Sequence, residues 1–193
     1  MEALTLKSID SFTDDQFFEF CRVNDDLRIE RDACGNIIIM EPTGMETGEF
    51  NLEVSSEIRN WNKETKEGKA FDSSTGVTLP DNSVRSPDSM WIKLERWKAI
   101  PKEERKKFAH ISPDFVLEIR STTDKLDVLK EKMEEYIKNE VRLAWLIDPV
   151  EEQVIIYRKD GSIEHRDNFE IPLSGEDVLV GFEIVLSELL EEE

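Results

Sequence analysis

Cysteine and histidine are scarce in this chain of 193 residues, which contains two of each. Cys21 and Cys34 lack the paired spacing of a zinc site, so we expect two reduced thiols rather than a disulfide or a metal centre. His110 and His165 lie far apart in the sequence and are expected to be structural. The composition therefore gives no support for zinc fingers, disulfide scaffolds or histidine-based metal sites.

Long apolar runs and several nucleotide-binding or catalytic motifs are also missing. No run approaches the roughly 18 apolar residues of a membrane span, and MEALTLKSID lacks the order of a signal peptide. We therefore expect a cytoplasmic protein without membrane contact. The absence of a Walker A loop, a G-x-G-x-x-G motif and a serine nucleophile elbow removes support for nucleotide hydrolysis, dinucleotide chemistry and α/β-hydrolase activity.

Positive charge is the third scarcity, with 25 basic against 44 acidic residues and a net charge of −19. Such a surface repels a nucleic-acid backbone over most of its area. The one dense basic cluster has four members: Lys102, Arg105, Lys106 and Lys107. It is either a solvated helix or a patch that faces phosphates, and the sequence leaves both interpretations open.

Periodicity and turn signals predict an α/β protein with a mixed sheet flanked by helices. Thr13 is expected to cap a first helix whose Phe17, Phe18 and Cys21 pack inward. LRIERD and NIIIM (27–32 and 36–40) form a predicted hairpin. A meander is expected from KAFDSS, GVTLP and VRSPDSMWI (69–92), and a helix over 124–139 connects the next two strands as a strand-helix-strand crossover.

A second helix is predicted over residues 45–64. Its inward stripe is expected to consist of four residues: Leu52, Val54, Ile58 and Trp61. An acidic row recurs every four residues at Glu49, Glu53 and Glu57. We expect this row to be solvated, although one member could reach a metal ion from the edge of the helix.

Two proline-aspartate strands, SPDSMWI (86–92) and SPDFVLEIRS (112–121), carry the chemistry. Charged side chains on a buried strand are costly unless they pair or bind a cation. Magnesium commonly takes one or two carboxylates and fills its shell with water and phosphate. Asp88 and Glu118 are the candidate ligands, with the carbonyl of Ile119 as a third. Arg120 or Lys132 could supply the cation that steadies the transition state.

Asp114 is a less suitable ligand, since it precedes Glu118 on the same strand by about 13 Å at full extension. We expect it to pair with a basic group or to cap the start of the strand.

The order of Asp88 and then Glu118-Ile119-Arg120 resembles the PD-(D/E)xK nuclease superfamily. SPDFVLEIRSTTDKL, followed by KMEEYIKNEVRLAWLIDP, resembles the Uma-two (Uma2) family of restriction-endonuclease-like proteins. The resemblance covers about residues 40–158 and is strongest over 113–149. Arg120 stands where the superfamily has lysine, so the basic residue is either Arg120 in place or Lys132 from the following helix.

The resemblance implies a restriction-endonuclease-like core and a magnesium- or manganese-dependent endonuclease that acts on DNA, and the enzyme class implies a homodimer. We expect a single domain over 1–193, with an N-terminal helix and hairpin (1–41), a nuclease-like core (42–160) and a C-terminal extension (161–193). The alternative is a catalytically inactive protein that keeps the nuclease fold as a binding or regulatory module, which the acidic surface and Arg120 favour.

Overall fold

The computed structural model describes residues 4–7 and 12–190. In this part of the chain, no helix has the length and apolarity needed to cross a membrane. The α-helices are α1 (Asp14–Val23), α2 (Met45–Thr65), α3 (Leu94–Ala99) and α4 (Leu126–Lys138). The strands are β1 (Leu4–Leu6), β2 (Arg28–Arg31), β3 (Ile37–Met40), β4 (Gly68–Asp72), β5 (Val77–Thr78), β6 (Val84–Arg85), β7 (Ser89–Lys93), β8 (Phe115–Ile119), β9 (Leu143–Asp148), β10 (Gln153–Arg158), β11 (Ile163–Arg166), β12 (Leu173–Ser174) and β13 (Glu183–Ile184). Two short 3-10 helices cover Glu104–Lys106 and Leu186–Leu189.

A six-stranded mixed sheet forms the centre of the fold, in the order β11-β10-β9-β8-β7-β4. Strands β8 and β9 are parallel and are connected through α4, so the expected strand-helix-strand crossover is confirmed. The other pairs in this sheet are antiparallel. Because Ser89 pairs with Leu117, the same register places Asp88 opposite Glu118.

Helices cover both faces of this sheet, as alternation along the strands requires. Phe50, Val54 and Ile58 of α2 pack with Trp91 and Trp145 on one face. On the other face, α4 contributes the buried side chains Met133 and Tyr136, which pack over Val116, Ala144 and Leu146. The site residues described below lie at the end of β8 and on the α4 side of the sheet.

A second, five-stranded antiparallel sheet has the order β1-β3-β2-β6-β5. Strands β2 and β3 form the predicted hairpin. The predicted meander is wrong, because β5 and β6 belong to this sheet whereas β4 and β7 belong to the six-stranded sheet. Pro87 separates β6 from β7, and the N–H of Ser86 binds the Glu30 carboxylate rather than a neighbouring strand. A proline at that position cannot continue a ladder.

The inward stripe predicted for α2 is wrong at Leu52, which is 64% exposed. The buried positions are Phe50, Val54 and Ile58, which recur every four residues. At about 100° per residue, Leu52 lies on nearly the opposite side of the helix from Phe50. Trp61 is half-buried against Trp91 and Phe182.

Helix α1 begins as predicted. Thr13 accepts a hydrogen bond from the N–H of Gln16, whose side chain accepts one from the N–H of Thr13. Phe17 is fully buried, whereas Phe18 and Cys21 are half-buried. The predicted start of α4 is two residues early, because the Asp124 carboxylate accepts hydrogen bonds from Ser121 and closes the loop before the helix.

The basic cluster lies on the short 3-10 helix Glu104–Lys106 and its flanks, where three of its four members contact other residues of the protein. Lys106 pairs with Glu103, and Lys107 pairs with Asp15. Arg105 lies over the ring of Trp97 and donates to the carbonyls of Ile100 and Lys98. These contacts favour the interpretation of a solvated surface segment over that of a phosphate-facing patch.

Two buried tryptophans allow a matched test of the core. Trp91 donates its indole N–H to Oδ1 of Asn62 at 2.8 Å, whereas the indole nitrogen of Trp145 is buried without a partner in the described residues. We expect Trp91→Phe to lower the free energy of unfolding by about 1 kcal/mol more than Trp145→Phe, since only the first change removes a hydrogen bond. Urea unfolding measures both, and an equal or larger loss for Trp145→Phe would contradict the expectation.

Candidate active site

A cleft of about 370 Å³ opens at the end of β8, between the first turns of α2, the loop after β8 and the hairpin of β2 and β3. Asp88, Glu118, Ile119 and Lys132 all line it. The structure therefore brings together four of the five site residues that the sequence indicates.

Asp88 immediately precedes β7 and its side chain is 15% exposed. Its Oδ2 accepts a hydrogen bond of 2.8 Å from the N–H of Ile119, which fixes the carboxylate against β8. Burial raises the pKa of Asp88 above its ordinary value, and the hydrogen bond from Ile119 opposes this shift. The N–H and C=O of one strand residue point to the same side. The carbonyl of Ile119 therefore points to the Asp88 side of β8.

Glu118 lies on β8 and is buried. Its Oε1 accepts a hydrogen bond of 2.8 Å from the Tyr136 hydroxyl and lies 2.8 Å from Nζ of Lys132. Burial, together with the negative charges of Asp88 and Glu30, raises the pKa of Glu118 to about 7 against the pull of Lys132. A carboxyl group with such a pKa is near its titration point at neutral pH.

Lys132 projects from α4 between two carboxylates from different sheets. Its Nζ lies 2.8 Å from Oε1 of Glu118 and 3.1 Å from Oε1 of Glu30. Burial alone would lower the pKa of Lys132, but the two carboxylates raise it above its ordinary value. Lys132 is therefore a protonated donor.

Glu30 is the residue at this site that the sequence analysis missed. It is buried on β2 and also binds Arg85 at 3.0 Å, while Arg85 forks onto Glu135 of α4 with two bonds of 2.7 Å. Lys132 and Arg85 together lower the pKa of Glu30 although burial acts to raise it. One acidic residue in a short strand gives no distinct signal, and its partner Lys132 is 102 residues away.

Arg120 lies apart from the other candidates. It follows the end of β8 and donates to Oδ2 of Asp148 at 2.6 Å. It lines a second groove, beside Phe50 and Val150, and is not among the residues that line the cleft of Asp88. The structure thus places Lys132, and not Arg120, against Glu118.

The helical acidic row and Asp114 also lie outside the cleft lining. From α2, the cleft is lined by Thr47, Gly48, Asn51, Leu52 and Ser55, and not by Glu49, Glu53 or Glu57. Asp114 accepts the N–H of Lys93 and pairs with Arg96 at 2.9 Å, as expected for a residue that starts the strand.

The two carboxylates suit a divalent cation that takes few protein ligands. No cluster of three or more acidic, histidine or cysteine side chains suited to a metal ion occurs in residues 4–7 and 12–190. Both hydrogen-bonding contacts of Glu118 fall on Oε1, which leaves Oε2 for another ligand. When Glu118 is ionised, Asp88, Glu118, Glu30 and Glu135 outnumber the three cations Lys132, Arg85 and Arg28 by one, so the cluster then carries an excess of one negative charge. Magnesium, with one or two carboxylates and water, fits this donor set.

A family model described as "Uma2: Putative restriction endonuclease" matches residues 14–187. The chain belongs to the Uma2 family. No curated protein matches the sequence. The match covers every site residue above, from Glu30 to Lys132.

Two solved structures resemble this Uma2 protein. One is the crystal structure of a "putative nuclease belonging to DUF820" from Anabaena variabilis ATCC 29413, with a TM-score of 0.73, 22% identity, and coverage of 93% of this chain and 97% of that chain. The other is a DrdV–DNA complex, with a TM-score of 0.39, 13% identity, and coverage of 74% of this chain and 11% of that chain. The first similarity confirms the expected restriction-endonuclease-like α/β fold.

The raised pKa of Glu118 predicts how stability depends on pH in the presence of a chelator. The folded state holds the Glu118 proton up to about pH 7, whereas the ordinary pKa is 4.5. The folded state is therefore favoured at low pH and loses this advantage as Glu118 ionises between these values. Between pH 5 and 8, wild-type protein should lose roughly 2 to 3 kcal/mol more stability than Glu118→Gln. Urea unfolding at both pH values measures the difference, and parallel changes in the two proteins would refute it.

Proposed function

We propose that this Uma2 protein is a magnesium- or manganese-dependent endonuclease that hydrolyses phosphodiester bonds in DNA. The observation that carries the proposal is the placement of Asp88 opposite Glu118 with the Lys132 ammonium 2.8 Å from Glu118. Two carboxylates that can hold a divalent cation, with one further cation at the edge of a cleft, can support phosphodiester hydrolysis by metal-ion and electrostatic catalysis.

Asp88, Glu118 and the carbonyl of Ile119 would hold the metal ion. When bound, a divalent cation supplies Lewis acidity and lowers the pKa of a water nucleophile. The N–H of Ile119 orients the Asp88 carboxylate. Tyr136 donates to Oε1 of Glu118, and its pKa is raised well above the ordinary value by burial and by nearby carboxylates, so it remains a donor throughout the neutral range.

Lys132 is the basic residue of the proposed site. Its ammonium group has three donors, of which Glu118 and Glu30 engage two, and it lines the cleft. The remaining donor suits the orientation of a water molecule or the stabilisation of negative charge on the phosphate. The two carboxylates raise the pKa of Lys132 above its ordinary value, so it stays protonated and is unsuited to proton abstraction. Arg120 supports the fold through Asp148 in this proposal.

Metal binding is the first test. Calorimetry with Mn²⁺ at pH 8 should detect binding by wild-type protein and at least a tenfold loss for Asp88→Asn or Glu118→Gln, because each change removes a charged ligand. Glu57→Gln, an exposed acid on α2, is the matched control and should bind like wild type. Equal Mn²⁺ binding by all four proteins would contradict the assignment of Asp88 and Glu118 as metal ligands.

Cleavage of DNA is the decisive test. Linear and supercoiled duplexes and single strands are incubated with Mg²⁺ or Mn²⁺, and initial rates are compared. We expect Asp88→Asn, Glu118→Gln and Lys132→Met to lose roughly 100-fold or more of the rate, as typical for loss of a group that stabilises transition-state charge. Arg120→Gln should cleave within about tenfold of wild type at a temperature where circular dichroism shows it to be folded.

Two outcomes would overturn parts of the proposal. A greater loss for Arg120→Gln than for Lys132→Met would return the catalytic role to Arg120. Metal binding without cleavage of any duplex or single strand would favour the binding or regulatory module, which the net charge of −19 also favours.

A homodimer would supply a second site for the other strand of a duplex. Sedimentation with and without DNA tests whether the protein forms one.

A further inference from the structure

Arg28 is a cleft residue to which neither the sequence analysis nor the proposed function gives a role. It is the first residue of β2, two positions before Glu30, and it lines the same cleft as Asp88 and Lys132. Its side chain is 40% exposed. Together with Lys132 it supplies the positive charge of the residues that line the cleft in the described chain.

The guanidinium group of Arg28 is only weakly bound by the protein. Its Nη2 donates one long hydrogen bond of 3.4 Å to the carbonyl of Ser73 and lies 4.0 Å from Oδ1 of Asp88. A separation of 4.0 Å is too long for a hydrogen bond. Its Nε is buried and has no partner among the described residues. A buried donor without a partner is uncommon and costs stability unless a ligand satisfies it.

Neighbouring arginines contrast with Arg28. Arg31, on the same strand, binds Asp14, Arg85 forks onto Glu135, and Arg120 binds Asp148 at 2.6 Å. Each of these guanidinium groups has a close carboxylate partner. Arg28 has fork-shaped donors available at the mouth of a cleft that also holds the proposed metal ligands.

We propose that Arg28 binds the scissile phosphate, donating to its non-bridging oxygens beside the proposed metal ligands Asp88 and Glu118. The inference rests on the proposed function, whose site it deepens. A planar guanidinium matches two phosphate oxygens and remains charged throughout the physiological range. The 4.0 Å approach to Asp88 then places the phosphate close to the metal ligands without tying the guanidinium to them.

Binding to DNA without cleavage tests this role. The probe is a fluorescein-labelled DNA duplex, titrated by anisotropy at several salt concentrations with Ca²⁺, which also accepts oxygen ligands, in place of Mg²⁺. Loss of a charge-assisted contact in Arg28→Gln should weaken binding by roughly 10- to 100-fold. The slope of log K against log salt should become shallower by about 0.9, the value for one phosphate contact. Arg28→Lys should keep the slope and show an intermediate loss, since it retains charge without the fork.

Controls separate phosphate binding from support of Asp88. Arg22→Gln removes the same charge from an exposed position on α1 and should leave the salt slope unchanged. Calorimetry with Mn²⁺ should give Arg28→Gln an affinity equal to or tighter than wild type, because a positive charge near Asp88 is removed. A tenfold weaker Mn²⁺ affinity with an unchanged salt slope would show that Arg28 positions Asp88 and would overturn the inference.

The proposed function and this inference fail in different ways. Cleavage by wild-type protein, together with an unchanged salt slope and DNA affinity in Arg28→Gln, would overturn the role of Arg28 alone. Wild-type protein that neither binds nor cleaves DNA would overturn both.

Discussion

The contact of Lys132 with Glu118 and Glu30 is the constraint on which the site depends. Glu118 belongs to the six-stranded sheet, Glu30 to the five-stranded sheet, and Lys132 to the helix between them. Removing one partner from such a buried group leaves an uncompensated charge, which typically costs about 3 to 5 kcal/mol. The three elements are therefore held in one relative arrangement by the same side chains that line the cleft. Arg85 reinforces that arrangement by joining Glu30 to Glu135.

Stability and ligand binding oppose each other at this cluster. Burial, together with the negative charges of Asp88 and Glu30, raises the pKa of Glu118 to about 7, so its ionised form is disfavoured in the protein alone. Pairs of acidic groups whose surroundings raise their pKa values are typical of functional sites. A divalent cation would balance the negative charge of these carboxylates and favour the ionised form of Glu118, since metal binding and deprotonation of the ligand are linked. The arrangement of charges in this cluster would therefore favour the binding of a divalent cation.

The sequence predicts contacts that depend on neighbouring residues in the chain, and it misses those set by distant ones. Glu118 lies on β8 as expected, and Asp88 lies one residue before the neighbouring β7, because each belongs to a segment with a strand signal of its own. The choice between Arg120 and Lys132 stays open in the sequence, because Asp148, which binds Arg120, lies 28 residues away. The partition of β5 and β6 into another sheet is likewise a long-range effect, since both strands have only two residues and pair with the N-terminal hairpin or with each other.

Errors in helices have a local origin by comparison. The four-residue spacing of Phe50, Val54 and Ile58 defines the buried face of α2, and Leu52, predicted to belong to that face, lies off it. Its exposed position beside the cleft is explained by helix geometry alone.

Electrostatics also bears on how an acidic protein can bind an acidic polymer. Five residues that line the cleft are acidic (Glu41, Asp72, Asp88, Glu118 and Asp124), against the two cations Arg28 and Lys132. Lys132 is already shared by two carboxylates, so Arg28 alone offers little attraction for a phosphate. A divalent ion on Asp88 and Glu118 would offset two of the three excess negative charges of the cleft lining, because bound cations are often the largest charges in a site. Metal and phosphate binding are then coupled through charge, and each ligand must raise the affinity for the other by the same factor. If the protein acts on DNA as proposed, the acidic surface elsewhere would confine productive contact to this cleft.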